Sequence, residues 1–303
     1  MNIVQVPGYQ DTDRLLIVNA DDFGMCHATN AGIIELLEEG AISSATLMMP
    51  CPWAKEAAEW AAAHPAYDVG VHLTLTSEWE MYKWGPVNRA SDTRSLVTDE
   101  GSFPRDCLTV ERVAEPEQVR AELLAQLELA RRMGLDPTHL DNHMGSLYGL
   151  ETGRHFLDLV LEICAAEGLP FRMPRSTEGQ NVPPEMEEAA SSLAGMADQL
   201  GVAILDNLTG LPYSASPPGT YEEMRDAMTA VLRVLRPGLT EIIIHPSKVT
   251  EELKAITPHW ERRGYELELF RDPLIRRVLE EEGIRMIRWA DVREAQRAAA
   301  GRV

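Results

Sequence analysis

The chain has 303 residues, 45% of them hydrophobic and 25% charged, and its 28 Lys and Arg stand against 48 Asp and Glu for a formal charge of −20. That length gives one large domain or two ordinary ones with room for a sizeable core, and that composition excludes a disordered chain. The acidic balance argues against a nucleic-acid binder, which needs a basic face for phosphates, and against docking on anionic membranes.

The opening stretch MNIVQVPGYQDTDR has no basic start followed by an apolar run, so no signal peptide is expected there. No apolar run approaches the ~20 residues of a membrane span. Four scattered cysteines, Cys26, Cys51, Cys107 and Cys164, lack CxxC spacing and read as free thiols in a reducing, cytoplasmic setting.

The pattern then alternates. Residues 14–20 (RLLIVNA) read as a buried strand, and residues 30–40 (NAGIIELLEEG) have helical apolar spacing that ends on Gly40. A short strand at 43–50, an Ala-rich helix at 52–65 and a strand at 67–75 (YDVGVHLTL) follow. Residues 77–115 show no clear element. An amphipathic helix at 115–134 leads to a strand end at 137–143 (PTHLDNH), and a helix at 154–170 leads to a short strand at 171–174. The remainder reads as helix 185–201, strand 202–207, helix 220–238, strand 240–246, helix 272–283 and a final strand at 284–291.

About eight strands alternating with helices imply a parallel sheet with helical crossovers. The expectation is an α/β fold, a TIM-type (β/α) barrel or a close variant with fewer strands, as a single domain over 1–303 with a long loop insertion at about 77–115. A doubly wound open sheet is the alternative. The acids of NADDFG stand where a dinucleotide phosphate would need bare backbone.

Polar residues gather where the strands end. Asp21 and Asp22 end the first strand; adjacent carboxylates repel unless a cation or a proton lies between them. His72 lies in or at the end of the third strand, His139, Asp141 and His143 close the fourth, and His245 closes the strand of IIIHP. In α/β barrels the loops after the strands form the active face. Taken singly, His72 reads better as a core histidine than as a ligand, and Asp141 as a turn cap. Their coincidence at the ends of otherwise apolar strands, where unpaired charge is costly, points instead to a metal. Two histidines and one carboxylate suit a divalent transition ion with open positions. His64 and His259, beside prolines, read as turn residues, and His27 and His155 as helical or loop residues. No GxSxG elbow and no GxxxxGK[ST] loop appears.

These segments, LIVNADDFG, NAGIIELLEEGAISSATLMMP, VGVHLTL, PTHLDNH and IIIHP in that order over roughly residues 14–290, resemble the YdjC-like (ChbG/HpnK) family of carbohydrate deacetylases. The resemblance implies a barrel related to that of polysaccharide deacetylases. It also implies metal-dependent removal of an acetyl group from an N-acetylated amino sugar. Residue by residue, Asp22, His72 and His143 look like the metal ligands, Asp21 the general base and His245 the general acid. His139 would lie deeper, off the metal, and Asp141 would orient an imidazole. The chain departs from the family after the last ligand, where HMGSLYG replaces further histidines, so contacts to the substrate must differ.

One divalent ion is expected as cofactor. Two imidazoles favour zinc or a similar transition ion, whereas magnesium, commonly assigned in the family, prefers oxygen. The expected partner is an acetylated sugar, with no nucleic acid and no membrane, and a homodimer is left open. Trp79, Tyr82 and Trp84 in SEWEMYKWGP either stack on a sugar ring or plug a gap beneath the insertion. Two other functions fit the same residues: a non-catalytic metal- or sugar-binding barrel, and a metal-dependent hydrolase or isomerase on a different small substrate.

Overall fold

The computed structural model describes residues 6–10, 12–176, 184–213 and 219–301, so part of the stretch read for a signal peptide lies outside the described residues. Seven parallel strands form one curled sheet, β1 (Arg14–Phe23), β2 (Ser44–Leu47), β3 (Val69–Leu73), β4 (Leu140–Asn142), β5 (Asn207–Thr209), β6 (Gly238–Ile244) and β7 (Ile284–Met286). Their order is β4-β3-β2-β1-β6-β5, with β7 paired to the start of β1. Beyond the two edges, isolated parallel bridges join Leu140 to Phe171 and Pro174 to Leu205. Among the described residues the sheet is thus a half-barrel of seven laddered strands, where about eight were expected. The physical reason lies in Pro170 and Pro174, which bracket the expected strand at 171–174 and carry no N–H for a ladder.

The described helices are α1 (His27–Glu38), α2 (Ala54–Ala63), α3 (Cys107–Val113), α4 (Pro116–Arg132), α5 (Leu157–Glu167), α6 (Pro184–Leu200), α7 (Tyr221–Arg233), α8 (Glu251–Ile256), α9 (Trp260–Leu269), α10 (Pro273–Glu281) and α11 (Trp289–Ala299). None of the described helices is long and apolar enough to cross a membrane. Residues 77–115, read as lacking regular structure, contain a 3-10 turn at Arg94–Leu96 and α3. They are tied down by Glu122 of α4, which accepts from the Val87 and Asn88 backbone N–H groups. The final expected strand stops at Met286, and Trp289 begins α11.

The alternation of β1 explains both sides of the sheet. Leu16, Val18 and Ala20 join the large core shared with the helices, whereas Leu15 and Ile17 join a second cluster with Leu205, Leu239 and Trp289 inside the curl. Trp289 is fully buried there, stacks on His139 at 4.8 Å and donates its indole N–H to Glu241. Above this apolar floor the inward positions turn polar: Asn19 and Asp21 on β1, His72 on β3, Asp141 on β4 and Glu241 on β6. All are buried.

Candidate active site

Two neighbouring acids reach one space because β1 breaks its own alternation. Its pairing with β2 slips between Ala20 and Phe23, and Asp22 sits at φ 68°. The left-handed region costs a non-glycine residue ~1–2 kcal/mol. The turn it makes carries the Asp22 side chain to the side where Asp21 already points. Gly24 at φ 90° follows, with Met48 and Ala54 backbone atoms so close that a Cβ would crowd them.

The two carboxylates then meet different arginines. Both Asp21 oxygens accept from Arg172, Nη1 to Oδ2 at 2.8 Å and Nη2 to Oδ1 at 2.5 Å. Asn19 Nδ2 adds a bond to Oδ1 at 2.8 Å, so Oδ2 is the less saturated oxygen. It lies 3.6 Å from His72 Nε2. Burial pushes the Asp21 carboxyl up, but Arg172 and His72 outweigh it and leave it well below the usual carboxylate range. Asp22 gives Oδ2 to Arg263 Nη2 at 2.5 Å. Burial opposes its ionisation too, and Arg263 with His143 overcomes it.

The remaining Asp22 oxygen, Oδ1, is buried without a hydrogen-bond partner. It faces His72 Nε2 at 3.8 Å and His143 Nδ1 at 3.4 Å. One ligand atom from each of Asp22, His72 and His143 lies within 4.8 Å of the others. An orphaned carboxylate oxygen between two inward-facing imidazole nitrogens fits a divalent ion. Asp21, His72 and Asp141 also converge, yet there Arg172 already makes ion pairs with both acids, 2.8 Å from Asp141 Oδ2, and its cation fills the role a metal would have.

Each imidazole is held from behind. The β3–β4 register sets His72 beside Asp141, and His72 Nδ1 lies 2.6 Å from Asp141 Oδ1. His143 Nε2 lies 2.9 Å from Glu78 Oε2. Burial alone would lower the His143 imidazole, but Glu78 and Asp22 on its two sides hold it protonated, up to about 10. His139 is fully buried below the site, its Nδ1 near Thr138 Oγ1, and burial pushes it well below its ordinary value. Gly70 makes room for it, since a Cβ there would stand 2.5 Å from the His139 ring.

His245 follows β6 one residue beyond Ile244, which pairs with Ala20, so the register sets it level with Asp21. Its backbone N–H donates to Glu266 at 2.5 Å, and Tyr213 covers its ring at 4.6 Å. Burial lowers its imidazole despite the opposing charges of Asp22, Asp21 and Glu266. Asp21, Asp22, His72, His143 and His245 all line one cleft of about 1370 Å³. Trp79 lines it as well, 6.1 Å from the His259 ring, itself 5.0 Å from Tyr213. Trp84 does not. It is 4% exposed, donates Nε1 to the Thr76 carbonyl and sets its ring 6.1 Å from His143, behind that histidine. Tyr82 donates to the Met25 carbonyl and packs on Trp84.

Arg172, Arg263, Glu78, Glu241 and Tyr213 are the site residues that sequence reasoning missed. Arg172 is paired with Asp21, Asp141 and Glu241, and no spacing rule marks an arginine in a four-residue segment as the centre of a buried cluster. Arg263 stands on α9, a helix the apolar pattern did not reveal. Glu78 lies within SEWEMYKWGP, where nothing in the linear pattern marks one carboxylate as the partner of a histidine 65 positions on.

A family model described as YdjC-like protein matches residues 15–281. A carbohydrate deacetylase of Thermus thermophilus is 31% identical over 282 residues, covering 93% of this chain and 95% of the relative. A chitooligosaccharide deacetylase of Yersinia enterocolitica is 33% identical over 214 residues, covering 64% of this chain and 80% of the relative. Among solved structures, a protein of Enterococcus faecalis V583, described as a proposed cellobiose-phosphate cleavage protein, superposes with a TM-score of 0.73 at 25% identity. That match covers 91% of this chain and 98% of the other.

Proposed function

The chain belongs to the YdjC-like family, and from that premise we propose that it is a metal-dependent deacetylase acting on an N-acetylated amino sugar. The observation that carries the metal dependence is Asp22 Oδ1, buried without a partner and faced by His72 Nε2 and His143 Nδ1. These three residues would hold the ion. Two imidazoles and one carboxylate favour zinc or a similar transition ion over magnesium. Bound there, the ion would supply Lewis acidity, polarising the amide carbonyl and acidifying water.

The rest of the chemistry belongs to the chain's own side chains. Asp21 is the base: its Oδ2, the less saturated oxygen, points toward the ligand histidine and accepts the proton of the attacking water. The Arg172 pair fixes that oxygen's direction and keeps the carboxylate ionised, at the expense of basicity. His245, level with Asp21 and lining the same cleft, protonates the leaving amine. Trp79 with His259 and Tyr213 offers flat area to the apolar face of a sugar ring.

The reading is tested by measuring acetate released from a panel of N-acetylated amino sugars and their oligomers. Wild type should release acetate from at least one of them, and Asp21→Asn should release ~10²–10⁴-fold less, the usual loss for a general base. Equal rates in the two proteins would remove Asp21 from the chemistry. No acetate from any member of the panel would count against the amino-sugar reading.

A further inference from the structure

We propose that Glu78 is the positioning residue that aims His143 at the metal, so that the loop after β3 completes a site otherwise built on strand ends. This rests on the metal centre of Asp22, His72 and His143 proposed above. The two ligand histidines are held in opposite senses. His72 turns Nε2 inward and gives Nδ1 to Asp141, and its backbone is pinned in the β3 ladder between paired neighbours. His143 turns Nδ1 inward and gives Nε2 to Glu78 at 2.9 Å.

His143 has no ladder to hold it. It opens a 3-10 turn just past β4, and the next residue, Met144, lies at φ 56° and is 45% exposed. Among the described residues its aromatic neighbours are His72 at 5.3 Å and Trp84 at 6.1 Å, which limit its plane but do not choose which nitrogen points inward. A half-turn about the last side-chain bond would replace Nδ1 with a carbon. The Glu78 carboxylate makes that choice, because only the observed orientation places Nε2–H on Oε2 while Nδ1 faces Asp22.

Glu78 can do this because its loop is hydrogen-bonded back on itself. Ser77 is fully buried, its hydroxyl accepts from the Trp84 N–H at 3.1 Å and its carbonyl accepts from Lys83 Nζ at 2.7 Å. Trp84 Nε1 donates to the Thr76 carbonyl at 2.8 Å. These bonds close residues 76–84 on themselves and present the carboxylate at a fixed place. A carboxylate behind a ligating imidazole fixes the ring and raises its donor strength, and losing it typically weakens metal binding ~10–100-fold.

The test is zinc affinity, read by competition with a chromophoric chelator in the absence of any substrate, together with the visible spectrum of the cobalt-loaded protein. Glu78→Ala should bind zinc ~10–100-fold more weakly than wild type. Glu78→Gln, which keeps an acceptor oxygen without its charge, should fall between the two and shift the cobalt bands. Should Glu78→Ala fail to fold, Glu78→Gln alone decides. Either variant matching wild type in affinity and spectrum overturns the assignment. Wild type that binds no zinc would instead remove the metal centre itself, whatever Glu78 does.

Discussion

Asp21 meets its arginine through both oxygens, and Asp22 meets a different arginine through one, leaving the other oxygen free toward two imidazoles. From this difference the two neighbours should respond oppositely to the same change. Asp21→Asn should keep stoichiometric metal while losing turnover, and Asp22→Asn should lose the metal; metal content by elemental analysis of the two purified variants separates them. His143 adds a linkage. Glu78 and Asp22 hold it protonated up to about 10 without metal, whereas a ligating Nδ1 must be deprotonated. Near neutral pH each ion bound should therefore release about one proton, and affinity should rise with pH. Calorimetry in two buffers of different ionisation enthalpy reads that proton; identical heats would contradict it. If His245 is the acid on an amide, His245→Ala should impair amides more than esters with good leaving groups, and equal losses would argue against that role. The paired acids and the strand-end histidines were legible in the sequence because charge is rare on buried strands. The arginines were not, since nothing in a linear pattern shows that Arg172 and Arg263 are buried at the centre of the molecule.

Among the elements, α9 is the instructive one. Its buried face carries Arg262, Arg263 and Glu266 beside Leu267 and Leu269, so a helix facing the core looks polar in sequence and the apolar period fails. Arg262 donates to Glu266 and to the Pro212 carbonyl, which shows how those charges are satisfied. The strand at 171–174 misled in the opposite sense: apolar residues were present, but flanking prolines limited it to isolated bridges. On β1 the alternation was readable up to Ala20, whereas the slip that turns Asp22 over depends on backbone angles that residue types do not encode. Gly70→Ala on β3 drives a Cβ into the His139 ring and carbonyl, and should lower stability by ~1–3 kcal/mol, measured by denaturant unfolding. Trp84→Ala empties a buried position behind His143, and should cost ~3–5 kcal/mol. Were Trp84→Ala instead to raise KM with stability intact, Trp84 would be a substrate contact rather than packing.

Across the whole molecule, the curled sheet gathers one guanidinium, Arg172, and the three carboxylates of Asp21, Asp141 and Glu241 in a buried interior. One positive charge cannot neutralise three negative ones. Burial, with Asp21 and Asp141 nearby, lifts Glu241 from 4.5 to about 8 against the pull of Arg172. Between those values the folded chain keeps a proton that the unfolded chain has released, so stability should fall as pH rises through that window. Glu241→Gln should flatten that decline in pH-dependent melting curves, and an unchanged slope would place the proton elsewhere. On the proposed reading, Asp22, His72 and His143 hold one ion on which deacetylation depends. That reading is tested most directly by adding zinc in measured increments to chelator-stripped protein and recording acetate release at each step. Release should start near zero, climb in proportion to added zinc and level off at one equivalent in wild type, and stay near zero throughout in His72→Ala. Full release from the stripped protein, or the same titration curve in His72→Ala, would contradict it.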